Sequence, residues 1–195
     1  MILHIGARTD TTETDTDLFN RLNLHYSQAI ATFCSRFDIP LIYASSAATY
    51  GMGTLGFDDS LAPQDLTPLN PYGVSKNDFD HWLLQQKQKP PFWAGLKFFN
   101  VYGPNEITEG KWAAVIGIWR NQIINGLPIT IVGDGEQRRD FTHVDDIVDG
   151  LVKIAFSDKE HKDAWELGTG MNYGVLEVAQ MFIDKFNATV THVED

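Results

Sequence analysis

Asn70-Pro71-Tyr72-Gly73-Val74-Ser75-Lys76 sets a phenol and an ammonium four residues apart. Asn70 is a residue type that caps helices, and Pro71 suits a first helical turn. Phe79, Trp82 and Leu83 follow at helical spacing and predict a buried face. Tyr72 and Lys76 then share one side of a helix, one turn apart. An ammonium beside a phenol favours the phenolate and draws its pKa from about 10 towards neutrality. That would make Tyr72 a general acid or base. The same pair also suits the surface of an ordinary helix, so the reading needs support from the rest of the chain.

Support precedes it. Pro40 to Ala44 predicts a short buried strand that runs into Ser45-Ser46-Ala47-Ala48-Thr49-Tyr50-Gly51. The carboxyl ends of strands are where open α/β sheets hold ligands, and small hydroxyl residues at such an end are candidate ligands. Ser46 with Tyr72-x-x-x-Lys76 is one pattern; YASSAATYG (43–51), NPYGVSK (70–76), FFNVYGP (98–104) and GDGEQRRDFTHVDD (133–146) extend it. Together these resemble the extended short-chain dehydrogenases/reductases that modify nucleotide sugars, and within them the ADP-heptose 6-epimerases. The resemblance covers nearly the whole chain.

It implies an α/β fold. Residues 1–104 would be the C-terminal half of a Rossmann-like, NAD(P)-binding parallel sheet, and 105–195 part of a small mixed α/β substrate lobe with some elements returning to the sheet. It implies a nucleotide-sugar epimerase working by transient oxidation with bound NAD or NADP, NADP being favoured. Tyr72, Lys76 and Ser46 would be catalytic, and Lys76 would also hold the cofactor ribose. Gly6, Ala7, Arg8, Thr9, Asn23 and Val101 would lie against the cofactor. Asn100, Ile131, Gly133, Asp134 and Arg139 would meet the nucleotide sugar, Arg139 at the phosphates, where a guanidinium fork donates two parallel hydrogen bonds. Bland readings stand beside these: Asn23 as a partly exposed helical residue, Asn100 as a strand-end cap, Arg139 paired with Asp140 or Asp134.

The sequence departs from the resembled pattern in two ways. The Gly-rich phosphate turn that should precede the first strand is absent, and the family continues beyond Asp195. The chain is therefore expected to be a fragment or a shortened form, with little epimerase activity by itself. The heptose epimerases also carry a second Lys five residues after the Pro of NVYGP. Glu109 stands there without a gap, and Lys111 only if the loop is two residues longer. The alternatives are another nucleotide-sugar epimerase or dehydratase, of the UDP-glucose 4-epimerase type, or a non-catalytic remnant.

Composition bounds the rest. The 195 residues, 43% hydrophobic, suffice for a sizeable core. A net charge of −11 and no basic run argue against a nucleic-acid surface. No apolar run is long enough to span a membrane. Cys34 is the single cysteine, so an internal disulfide is excluded; it reads as an inert core residue in a cytoplasmic protein. Homo-oligomers are the expectation from the resemblance.

Periodicity supplies the remaining elements. Residues 2–6 read as a buried strand, 18–38 as a helix with Leu18, Leu22, Ala29, Ile30 and Phe33 inward, and 51–69 as a loop. The Tyr72 helix runs to about Gln88, then a strand spans 93–101. Helices follow at 112–125, 144–155 and 175–186, with strands at 129–132, 165–168 and 188–193. In the helix at 144–155 the apolar face is Val144, Ile147, Val148, Leu151, Val152 and Ala155. Asp145, Asp146 and Asp149 read as a solvated face rather than a metal site.

Overall fold

The computed structural model describes residues 1–109, 113–157 and 164–194. In chain order the elements are β1 (Ile2–His4), α1 (Thr16–Phe19), a π-helical segment (Asn20–His25), α2 (Tyr26–Arg36), β2 (Leu41–Ser46), α3 (Pro71–Gln85) and β3 (Trp93–Phe98). β4 (Asn100–Tyr102), α4 (Val115–Ile124), β5 (Ile129–Val132), β6 (Arg138–Arg139), β7 (Phe141–His143) and α5 (Val144–Ala155) follow. The chain ends with β8 (Ala164–Leu167), β9 (Tyr173–Gly174), α6 (Val175–Phe186) and β10 (Val190–Val193). Two compact units result: residues 1–98 with 151–167, and residues 99–150 with 168–195.

The first unit is an α/β layer built on a parallel sheet of order β1-β2-β3-β8. Parallel strands need crossovers, and the helical stretch from 16 to 36 and then α3 supply the first two. β2 is buried along its whole length, as a central strand covered on both faces must be. One face packs Ala31, Cys34, Leu41, Tyr43, Phe79, Leu83 and Trp93; another cluster gathers Ile42, Ala94, Leu96 and Ile154. β1 stands at the end of this strand order, with Leu3 52% exposed.

The helical stretch also departs from the expected face. Leu22 and Phe33 are exposed, while Phe19, Asn23, Ser27, Ala31 and Cys34 are buried. A π-helical turn takes more residues than an α turn, so the inward positions fall four apart through Asn20–His25 and the 3.6-residue pattern slips. In α5 the inward residues are Ile147 and Ile154, with Val148 and Val152 about half exposed. The predicted strand 93–101 is broken at Phe99. β3 stays in the first sheet, and β4 pairs in parallel with β7.

In the second unit β5 and β10 pair in parallel, and β6 and β9 antiparallel. Trp119 of α4, Ile129 and Ile131 of β5, and Val178 and Ala179 of α6 form its core. Trp119 is wholly buried and satisfies its indole by donating to the Thr130 carbonyl at 2.7 Å. Gln122 ties α4 to the same strand, accepting from Thr130 N at 3.0 Å.

Candidate active site

The first turn of α3 is built as the sequence predicts. Asn70 Oδ1 accepts from Gly73 N at 2.8 Å, and Pro71 occupies the first helical turn. Gly73 brings that turn close to the end of β2, since a Cβ there would lie 2.8 Å from the Ala48 carbonyl oxygen. The chain at β2's end is itself fixed. Ser46 Oγ accepts from Ala48 N at 3.1 Å, and Thr49 Oγ1 donates to the Ser46 carbonyl at 2.8 Å. Ser46 and the Tyr72 phenol are therefore neighbours at the carboxyl edge of the parallel sheet, close enough for Ser46 to act on the phenol's pKa.

Lys76 is buried one turn further on. Its Nζ donates to the Ala44 carbonyl at 2.6 Å and stands 6.0 Å from the centre of the Tyr72 ring. Burial pulls its pKa down to about 8, against the charge of Asp80, which raises it. The Tyr72 phenol sits above its ordinary value, not below it. Burial pushes it up, and Ser46 draws it only part of the way back. The expected fall towards neutrality is not met because the ammonium is aimed at a backbone carbonyl and because desolving a phenolate costs more than Ser46 returns.

Asn23 is 3% exposed, not partly exposed as an ordinary helical residue would be. Its amide clamps the loop after β1. Oδ1 accepts from Arg8 N at 2.8 Å, and Nδ2 donates to the Arg8 carbonyl at 2.9 Å. Nδ2 also donates to Ser75 Oγ at 3.0 Å, and Ser75 Oγ donates to the Tyr72 carbonyl at 2.7 Å. Gly6 and Thr9 are exposed and Ala7 is half-buried. The Arg8 guanidinium faces Glu13 at 3.5 Å and Asp10 at 3.7 Å.

The remaining candidates lie in the second unit. Asn100, Val101 and Arg139 line a cleft of 450 Å³ together with Tyr102, Gln137 and Phe141. Asn100 Nδ2 donates to the Asp140 carbonyl at 3.0 Å. Arg139 is exposed and donates to the Arg138 carbonyl at 2.8 Å, with no carboxylate partner among the described residues. Asp140 is taken up by the Thr169–Gly170 turn, at 2.8 Å from Thr169 Oγ1 and 2.9 Å from Gly170 N. Arg138, not Arg139, is the ion-paired arginine, 3.2 Å from Glu177. Ile131 is 1% exposed, its side chain part of the second unit's core. Gly133 and Asp134 form a turn, in which Asp134 Oδ1 accepts from Glu136 N at 3.0 Å. Glu109 accepts from Asn121 Nδ2 at 3.0 Å, and Lys111 lies outside the described residues. Among the described residues no cluster of three or more His, Cys, Asp or Glu is placed to hold a metal, and no helix is long and apolar enough to cross a membrane.

One group escaped the sequence reading. Asp80, Lys97, Ser45 and Thr49 form a buried polar set beneath Lys76, each 2% exposed or less. The signal was available: Lys97 interrupts the apolar run Trp93-Ala94-Gly95-Leu96-Lys97-Phe98, and a charge inside a central strand needs a partner.

Comparison with known proteins agrees with this geometry. The profile of the NAD dependent epimerase/dehydratase family matches residues 1–168. The ADP-L-glycero-D-manno-heptose-6-epimerase of Fusobacterium nucleatum is 40% identical over 199 residues, covering 97% of this chain and 58% of that protein. The UDP-N-acetylglucosamine 4-epimerase of Methanobrevibacter ruminantium M1 shares the fold at a TM-score of 0.88 and 24% identity, over 99% of this chain and 63% of that one. The UDP-glucuronic acid 4-epimerase of Bacillus cereus, solved with UDP-glucuronic acid and NAD, gives 0.81 at 25% identity, over 97% and 60%. The chain thus spans under two thirds of the length of each. A parallel sheet with Ser46, Tyr72 and Lys76 at its carboxyl edge and a family match over residues 1–168 lead to one assignment: the chain belongs to the NAD dependent epimerase/dehydratase family.

Proposed function

We propose that this chain is the Tyr72-bearing part of a nucleotide-sugar epimerase acting on ADP-L-glycero-D-manno-heptose or its 6-epimer. The observation that carries the reading is the meeting of the Tyr72 phenol with Ser46 at the end of β2, with the Lys76 ammonium buried behind them. The 40% identity to the F. nucleatum enzyme supports the choice of sugar. Tyr72 takes the proton of the substrate hydroxyl and returns it, and Ser46 bonds the same oxygen. Lys76, largely charged at pH 7, offsets the phenolate and holds the ribose. The exposed Gly6 and Thr9, with the half-open Tyr72, fit the nicotinamide-ribose end of a dinucleotide. Bound there, NAD or NADP supplies a hydride acceptor that gives the hydride back, so no second redox substrate is consumed; the resemblance to heptose epimerases favours NADP. Val101 lies against the cofactor, Asn100 and Arg139 face the nucleotide sugar, and the guanidinium, without a carboxylate partner among the described residues, suits its diphosphate. Gly133 and Asp134 frame the same ligand through their turn. The whole protein is a homo-oligomer in this reading.

The test is Tyr72→Phe in the purified protein. Turnover of the ADP-heptose is expected to fall about 10²–10⁴-fold, while nicotinamide fluorescence still reports bound cofactor. Wild-type turnover in the variant would overturn the reading. A second reading rests on Glu109, which stands where the heptose epimerases have their second Lys and is engaged by Asn121. On that reading the substrate is another nucleotide sugar, and UDP-glucose would be turned over in preference to the ADP-heptose.

A further inference from the structure

α3 carries a third ionisable side chain on the face that holds Tyr72 and Lys76. Asp80 lies one turn beyond Lys76 and is 2% exposed. Ser45 Oγ donates to its Oδ2 at 2.6 Å, and the buried Tyr43 phenol lies beside it. Lys97 stands across the sheet from Ser45 on one side and Glu166 on the other. Its Nζ donates to Thr49 Oγ1 at 2.9 Å and lies 4.3 Å from the centre of the Tyr50 ring. A carboxylate so far from water is costly unless charges and donors surround it. Here Ser45 satisfies Oδ2, Oδ1 has no hydrogen-bond partner among the described residues, and the compensating charges are the two lysines, Lys97 and Lys76.

We propose that Asp80 is a positioning residue for Lys76, keeping its ammonium charged and aimed at the Ala44 carbonyl beside Tyr72. Its consequence for turnover rests on the reading above; its effect on Lys76 does not. The titratable groups around Lys76 are Tyr72 and Asp80 on α3, His4 on β1 and Tyr43 on β2, with Lys97 on β3 and Glu166 on β8 behind Asp80. His4, whose Nε2 is 2.8 Å from Ser27 Oγ, is held below its ordinary pKa by burial and by the charge on Lys76. It is therefore neutral where Lys76 titrates. Tyr43 is pushed well up by burial and by Asp80, so it is neutral there too. Asp80 is the nearby group that favours the charged ammonium, working against burial. Its own carboxyl lies above the ordinary carboxylate value: burial raises it, and Lys97, Ser45, Tyr43 and Lys76 draw it only part of the way back.

The experiment is an NMR titration of protein labelled with ¹³Cε-lysine, with the Lys76 resonance assigned from Lys76→Arg. In the wild type the Lys76 midpoint is expected near 8. In Asp80→Asn it should fall by about one pH unit, in Asp80→Glu it should return, and in the exposed Asp78→Asn it should stay. Should Asp80→Asn fail to fold, as judged by circular dichroism, Asp80→Ser reads the same midpoint with a smaller neutral side chain. An unchanged or raised midpoint in the neutral variant overturns the proposal. The pH profile of turnover separates the two ideas. A Lys76 midpoint that moves without any change in that profile upholds Asp80's role and overturns the role given to Lys76 in turnover.

Discussion

Asn23→Ala is the perturbation whose cost follows most directly from the structure. The Asn23 amide makes three hydrogen bonds, two to the backbone of Arg8 and one to Ser75 Oγ, from a site 3% exposed. At about 0.5–1.5 kcal/mol each, their loss comes to about 2–4 kcal/mol, and the partners left behind have little water to turn to. The variant should lower the urea midpoint of unfolding by that free energy with an unchanged m-value, read by far-UV circular dichroism. Hydrogen exchange gives the local signature: the Arg8 amide, protected in the wild type, should exchange freely. A loss under about 0.5 kcal/mol with the Arg8 amide still protected would refute the clamp. Unchanged stability with weakened cofactor binding would make Asn23 a ligand contact and nothing more.

Two further outcomes are expected. Lys76 has a folded pKa of about 8, below its ordinary 10.5, so the unfolded chain binds more protons between those values and stability rises with pH there. The gain is about 3 kcal/mol at most, and denaturant midpoints between pH 8 and 10 should climb in the wild type and climb less in Lys76→Met; equal slopes would count against a buried ammonium. Gly95→Ala would set a Cβ into the Tyr43 phenol, which is buried beside Asp80, so a loss of about 1–3 kcal/mol is expected and a thermal midpoint equal to wild type would show that Tyr43 yields freely.

What the sequence carried, it carried through local chemistry. Asn70, Pro71 and the apolar residues of α3 specify a capped amphipathic helix without reference to anything distant. β2 is equally plain, a short apolar run closed by Ser45 and Ser46. Failures came where a residue's fate is set by partners far along the chain. The π-helical segment shifts the inward face onto Asn23 and Ser27, which no apolar periodicity marks. Strand 93–101 looks continuous, yet Phe99 separates residues that pair with β8 from residues that pair with β7. Ile131 and Arg139 show the same limit in the second unit: only packing shows that one side chain is core and the other lines a cleft.

Ser46, Tyr72 and Lys76 come from one strand, one tight turn and one helix, so their mutual placement depends on how α3 is held against β2. Two braces hold it, on either side of Lys76. Before it, Ser75 links the Tyr72 carbonyl to Asn23 and through Asn23 to the loop after β1. After it, Asp80 takes a hydrogen bond from Ser45 of β2 and the charge of Lys97 of β3. Each brace uses a buried polar side chain where an apolar one would pack at lower cost. An apolar contact, however, fixes neither a direction nor a charge. A buried ammonium held beside a phenol needs both, and the polar set in the centre of the sheet supplies them.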